Sequence, residues 1–103
     1  MAGVEVTGDG AVEVGVGDEV VIRLPENATT GYVWSVESIG PGLEVMDDTT
    51  VPPGEAAPGA AGERLFRVRA VSPARADVVL RLARSWESGP GMQRRRVTVT
   101  ARG

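Results

Sequence analysis

The run Tyr32-Val33-Trp34-Ser35-Val36-Glu37-Ser38 alternates apolar and polar side chains and decides the class of fold. Because successive side chains of a β-strand point to opposite faces, this period of two predicts a half-buried strand. Tyr32, Trp34 and Val36 share one face. Trp34, in the middle of that face, is predicted to be a core tryptophan.

Runs of the same kind, rich in Val, Thr and Ile, recur on both sides of this strand and predict an all-β fold. The predicted strands cover residues 4–7, 11–16, 19–24, 32–38, 43–46 with an extension toward 50, 63–71, 77–84 and 92–101. Pro25 is predicted to end the third strand. Residues 52–62, almost wholly Pro, Gly and Ala, are predicted to form a loop, with a domain linker as the alternative. About seven to eight short strands at this spacing favour a sandwich or a barrel.

Composition narrows the functions that are open to the chain. Its 103 residues fit a single domain, 1–103, of ordinary size. Cys, His and Lys are absent, which removes thiolate and imidazole chemistry, Schiff bases, lysine-dependent phosphate loops and the commonest metal ligands. No metal or other cofactor is therefore expected. A hydrolase that uses Glu87 with Asp47 or Asp48 stays open as an alternative, although their spacing does not indicate a catalytic pair.

Charge and hydropathy argue against nucleic acids and membranes as partners. The net charge is −3, whereas nucleic-acid affinity depends on positive charge. The basic run Arg94-Arg95-Arg96 is predicted to be a solvated part of the last strand. No segment has transmembrane length, and residues 1–15 lack the apolar segment of a signal peptide, so we expect a soluble chain, exported only if a leader has been removed. We also expect a monomer, although the last strand could pair with another chain if it lies at a sheet edge.

The segment Asn27-Ala28-Thr29-Thr30-Gly31-Tyr32, between two predicted strands, is the leading candidate for a binding site. Asn and Thr side chains bond to nearby backbone and Gly31 can adopt a positive φ, so a plain turn explains the segment as well as function does. A two-residue turn would suffice to join the strands, however. The longer connection holds an asparagine and two threonines near its tip.

Two further segments lie at predicted strand ends. Arg84-Ser85-Trp86 follows the strand 77–84. Because Trp and Arg often anchor protein interfaces, this segment is a second binding candidate, and a Trp that closes the end of the core is the alternative. Gly59-Ala60-Ala61-Gly62 precedes the strand 63–71 and, taken alone, is typical of any loop of small residues.

In order and spacing, the three segments resemble the loops of chagasin-type inhibitors of papain-like cysteine peptidases. That family has Asn-Pro-Thr-Thr-Gly-aromatic, Gly-X-Gly-Gly and Arg-Pro-Trp in these places, so Ala28, Ala61 and Ser85 depart from its pattern. The resemblance extends from Val4 to Ala101. It implies an immunoglobulin-like β-sandwich in which the three segments are the BC, DE and FG loops, side by side at one end.

The resemblance also implies a function, which is reversible, non-covalent inhibition. Thr29 and Thr30 would enter the cleft of the peptidase over its catalytic cysteine, and the two outer segments would grip the walls. Trp86 would stack on an aromatic surface, and Arg84 would pair with a carboxylate or carbonyl. Ala28 leaves φ free where proline would fix it, so weaker inhibition is expected. The alternative is an immunoglobulin-like binding or adhesion module with no peptidase target, since sandwiches host many functions.

Overall fold

The computed structural model describes residues 3–26, 31–51, 62–84, 86, 91 and 93–103, and within these ranges the chain forms strands and no helix. The strands in chain order are β1 Gly3–Val6, β2 Gly10–Gly15, β3 Glu19–Glu26, β4 Tyr32–Ile39, β5 Leu43–Val51, β6 Gly62–Ala70, β7 Ala74–Arg84 and β8 Gln93–Arg102. The all-β prediction is confirmed. Within the same ranges, no helix is long and apolar enough to cross a membrane.

Two four-stranded sheets form the sandwich, with strand orders β1-β3-β6-β5 and β2-β8-β7-β4. Most neighbours are antiparallel, but β1 runs parallel to β3, and β2 runs parallel to β8. The last strand, β8, therefore lies inside its sheet between β2 and β7. Its suggested pairing at a sheet edge is wrong for residues 97–102, because β2 already pairs with them on the outer side of β8.

The core lies between the two sheets and is made of every second residue of the long strands. Its largest fully buried side chains are Trp34, Phe66, Ile22, Leu24, Leu80, Val20, Val68, Val78, Val97 and Val99. Trp34 is only 2% exposed, which confirms the prediction of a core tryptophan. Burying each large apolar side chain contributes about 1.5–3 kcal/mol, so this layer is the main source of stability.

Strand β3 continues through Pro25 to Glu26, so the prediction that Pro25 ends the strand is wrong. Pro25 pairs with Glu63 of β6. The parallel pairing of β3 with β1 ends at Ile22. Beyond Ile22 no described strand pairs with that side of β3, so no backbone N–H donor is needed there. A proline is tolerated at such an unpaired edge. The extension carries Glu26 to the end of the sheet.

Candidate functional site

The strands that flank the three candidate segments have their adjoining ends at one end of the sandwich, which we call the loop end. In one sheet Glu26 pairs with Gly62, and in the other Tyr32 pairs with Arg84. The loop end is defined by the terminal residues of five strands, Glu26, Tyr32, Gly62, Arg84 and Gln93. A hydrogen bond of 2.8 Å from the Trp34 backbone N–H to Oε1 of Glu26 joins the two sheets there.

Thirteen residues form the candidate site. Eight of them lie outside the described residues, namely Asn27, Ala28, Thr29, Thr30, Gly59, Ala60, Ala61 and Ser85. The structure places the other five, Gly31, Tyr32, Gly62, Arg84 and Trp86, at the loop end. The strand register thus brings parts of all three segments to the same end, and their contact with a peptidase stays a prediction.

The two glycines of this group differ in what they do for the backbone. Gly31 has φ = +79°, as predicted, and nothing lies within 4 Å of a Cβ built there. Conformation, not space, therefore favours glycine at this position. Gly62 was predicted to belong to the loop, but it is the buried first residue of β6. The ladder to Glu26 extends the strand by one residue, and residues 52–61 of the predicted loop lie outside the described ranges.

Tyr32, Arg84 and Trp86 form a stacked group at the loop end. The guanidinium carbon of Arg84 lies 4.6 Å from the ring centre of Tyr32 and 5.8 Å from that of Trp86. Both distances are within the range of cation–π attraction. Trp86 itself is 75% exposed, so the alternative in which it closes the core is wrong. The group presents an exposed indole whose neighbour is a stacked arginine.

The inward-facing positions of the core become charged at the loop end, which the sequence interpretation missed. The inward series Val20, Ile22 and Leu24 in β3 continues with Glu26. Phe66 and Val68 in β6 are likewise preceded by Arg64, and Val97 and Val99 in β8 by Arg95. The period of two was the signal that could have found all three residues, since it assigns them to the inner face.

These charged residues lie close to other groups of the loop end. The guanidinium carbon of Arg95 is 5.8 Å from the ring centre of Trp34, so the middle of the basic run covers the core, whereas Arg94 and Arg96 are exposed as predicted. Arg64 donates to Oδ1 of Asp48 at 2.5 Å. That hydrogen bond is the main cause that raises the pKa of Arg64, against the lowering effect of burial.

The carboxylates offered as a hydrolase pair do not form a described site. Asp48 is engaged by Arg64, and Oδ1 of Asp47 accepts the Asp48 backbone N–H. Glu87 lies outside the described residues. Among the residues that the structure describes, no three His, Cys, Asp or Glu side chains form a group that could hold a metal ion.

Comparisons with known proteins identify one family of peptidase inhibitors. The family model described as chagasin family peptidase inhibitor I42 matches residues 13–101. Chagasin of Trypanosoma cruzi is 33% identical over 91 residues, which cover 84% of this chain and 82% of chagasin.

Solved structures extend the likeness to the whole fold. The cysteine protease inhibitor EhICP2 of Entamoeba histolytica superposes with a TM-score of 0.84 at 20% identity, covering 98% of this chain and 96% of that one. The inhibitor PbICP-C, solved in complex with falcipain-2, has a TM-score of 0.56 at 18% identity and covers 97% and 89%. These likenesses support the immunoglobulin-like β-sandwich.

Proposed function

Because this chain belongs to the chagasin family of peptidase inhibitors, we propose that it inhibits papain-like cysteine peptidases by inserting its loop end into their active-site cleft. The family consists of inhibitors and not of enzymes. The observation that carries the proposed site is Trp86, an indole that is 75% exposed and stands beside Arg84 and Tyr32 at the loop end. A large exposed aromatic beside an arginine is the usual composition of an interface hot spot.

Inhibition would be non-covalent and reversible. The segment 27–31 connects β3 of one sheet to β4 of the other, whereas the other two segments each connect neighbouring strands of a single sheet. We therefore expect it to be the middle segment and the one that enters the cleft. Thr29 and Thr30 would lie over the catalytic cysteine and exclude substrate. The outer segments, Gly59–Gly62 and Arg84–Trp86, would contact the walls. An interface of about 1,600 Å² is standard for protease and inhibitor pairs and is large enough for all three.

Arg84 is suited to two contacts at once. Its guanidinium carbon lies 4.6 Å from the ring centre of Tyr32 and 5.8 Å from that of Trp86. A cation–π contact uses the positive charge, so the N–H donors of the guanidinium remain able to bind a carboxylate or carbonyl of the peptidase. We therefore expect Arg84 both to orient Trp86 and to bind the enzyme.

Steady-state inhibition of papain and of falcipain-2, the partner of the related PbICP-C, tests the proposal. We expect tight, reversible inhibition by the folded protein. Thr29→Ala should raise the inhibition constant at least about tenfold, or roughly 1.4 kcal/mol. Thr100→Ala is the matched control, because Thr100 lies on β8 opposite Arg75, far from the loop end.

Two results would contradict the proposal. One is the absence of inhibition at micromolar concentration across several papain-like peptidases. The other is an equal effect of Thr29→Ala and Thr100→Ala on the inhibition constant, which would mean that Thr29 does not lie in the contact with the peptidase.

A further inference from the structure

Glu26 is the one charged residue that is buried among the described parts of the chain, at 6% exposure. It is the last residue of β3 and directly precedes the segment 27–30. A buried carboxylate is costly unless it is paired and hydrogen-bonded, and an apolar side chain would continue the series of Ile22 and Leu24 at lower cost. Core packing therefore does not explain why a glutamate occupies position 26.

Each oxygen of the Glu26 carboxylate contacts a different strand. Oε1 accepts the backbone N–H of Trp34 in β4 at 2.8 Å. Oε2 lies 3.5 Å from Nη1 of Arg64 in β6. Arg64 in turn donates to Asp48 and to Thr50 of β5. One side chain thus joins β3 and β4 of opposite sheets and, through Arg64, reaches β5.

A second hydrogen bond reinforces the same junction. The indole Nε1–H of Trp34 donates to the backbone oxygen of Pro25 at 2.9 Å. Pro25 and Glu26 therefore hold Trp34 by its side chain and its backbone, across the segment 27–31. The two hydrogen bonds set the distance and the angle between the end of β3 and the start of β4.

The Arg64 contacts act on the next segment along the chain. Glu26 pairs with Gly62, and Thr50 pairs with Arg64, so the network spans the end of β5 and the start of β6. These strand ends bracket residues 52–61. The bases of two of the three loop segments are consequently held by one ion-pair network, which runs from the buried Glu26 through Arg64 to the exposed Asp48.

We propose that Glu26 is a positioning residue for inhibition, which holds the bases of segments 27–31 and 52–61 in the arrangement that docks into the cleft. It acts through Trp34 and Arg64 and touches no peptidase atom. Its contribution arises because loops whose ends are already fixed lose less conformational entropy on docking. This inference rests on the proposed inhibition of papain-like peptidases.

Substitutions at Glu26, assayed against papain beside the wild-type protein, test the role. Glu26→Leu removes both contacts and should raise the inhibition constant about tenfold. Glu26→Gln keeps an oxygen that can accept the Trp34 N–H but loses the ion pair, so we expect an intermediate rise of about threefold. If Glu26→Leu does not fold, Glu26→Gln alone carries the test.

A matched control separates positioning from stability. Val99→Ala removes apolar volume from a fully buried site on β8, toward the end opposite the loops, and lowers the unfolding midpoint without touching the network. At a temperature where all variants are folded, Val99→Ala should leave the inhibition constant unchanged within about twofold (roughly 0.4 kcal/mol). Combining Glu26→Gln with Arg64→Gln should then give less than the product of the single effects, because the two residues share one contact.

The outcomes are distinct. If the wild type inhibits papain and the folded Glu26→Leu and Glu26→Gln variants inhibit it equally well, the positioning role is overturned and the proposed function stands. The positioning role is also overturned if Val99→Ala, at an equal loss of stability, raises the inhibition constant as much as the Glu26 substitutions do. Absence of inhibition by the wild type overturns the proposed function itself.

Discussion

The two tryptophans of the chain show how differently the core and the loop end use the same side chain. Trp34 is 2% exposed, and its indole N–H is bonded to the Pro25 oxygen. Trp86 is 75% exposed and is accompanied by the guanidinium of Arg84. The apolar area of Trp34 is already buried by folding. That of Trp86 is still exposed to water and so remains available to a partner.

The difference predicts that the two side chains govern separate properties. Removal of Trp34 should change the free energy of unfolding. Removal of Trp86 should change binding and leave folding alone. The surroundings of the two side chains agree with this separation. The backbone N–H of Trp34 is bonded to the buried carboxylate of Glu26, whereas Trp86 lies beyond the end of β7.

Trp34→Ala is expected to have the largest effect. Deleting a fully buried tryptophan leaves a cavity and costs about 3–5 kcal/mol of unfolding free energy. The Pro25 oxygen also loses its indole donor, and Arg95 loses the ring that it contacts, whereas the backbone bond to Glu26 can remain. Since domains of this size are stable by about 5–15 kcal/mol, the variant should lose a large share of its free energy of unfolding. Urea unfolding followed by circular dichroism measures this change.

Trp34→Phe is the control for that prediction, because it keeps an aromatic ring in the site and loses only the indole N–H and part of the volume. It should be clearly more stable than Trp34→Ala. If Trp34→Ala lowers the free energy of unfolding by less than about 1.5 kcal/mol, the indole is not a principal part of the core.

The sequence alone predicted the strands and the inner residues because both depend on a local period of two. Trp34 was assigned to the core on that basis, and it is buried. Strand partners are set by contacts between distant parts of the chain. Local alternation could therefore not predict that β8 lies inside its sheet next to β2, or that Pro25 sits where β3 has lost its neighbour.

The sequence named the exposed part of the candidate site but not its proposed support. Arg84 and Trp86 were predicted as site residues because they match a family motif and stand at a strand end. Glu26 and Arg64 carry no motif, and each is an ordinary surface residue type. Their role depends on an ion pair between residues 38 positions apart, which exists only once β3 and β6 have paired.

Trp86→Ala should have the next largest effect, and it should change binding rather than folding. We expect the inhibition constant for papain to rise at least about tenfold, which corresponds to roughly 1.4 kcal/mol. The free energy of unfolding should stay within about 0.5 kcal/mol of the wild type, because the residue is a surface position. A loss of stability as large as that of a core variant would contradict the assignment of Trp86 to recognition.

Arg84→Lys should give the smallest change and shows whether Arg84 acts through Trp86. Lysine keeps the charge but lacks the planar guanidinium, whose carbon lies within cation–π distance of Tyr32 and Trp86. A cation–π contact at an exposed site is worth about 0.5–1 kcal/mol, so the inhibition constant should rise roughly twofold to fivefold. In the Trp86→Ala background the same substitution should have a smaller effect, because the indole it orients is gone. Equal effects in both backgrounds would mean that Arg84 binds the peptidase independently of Trp86, and the stacked group would then be two separate contacts.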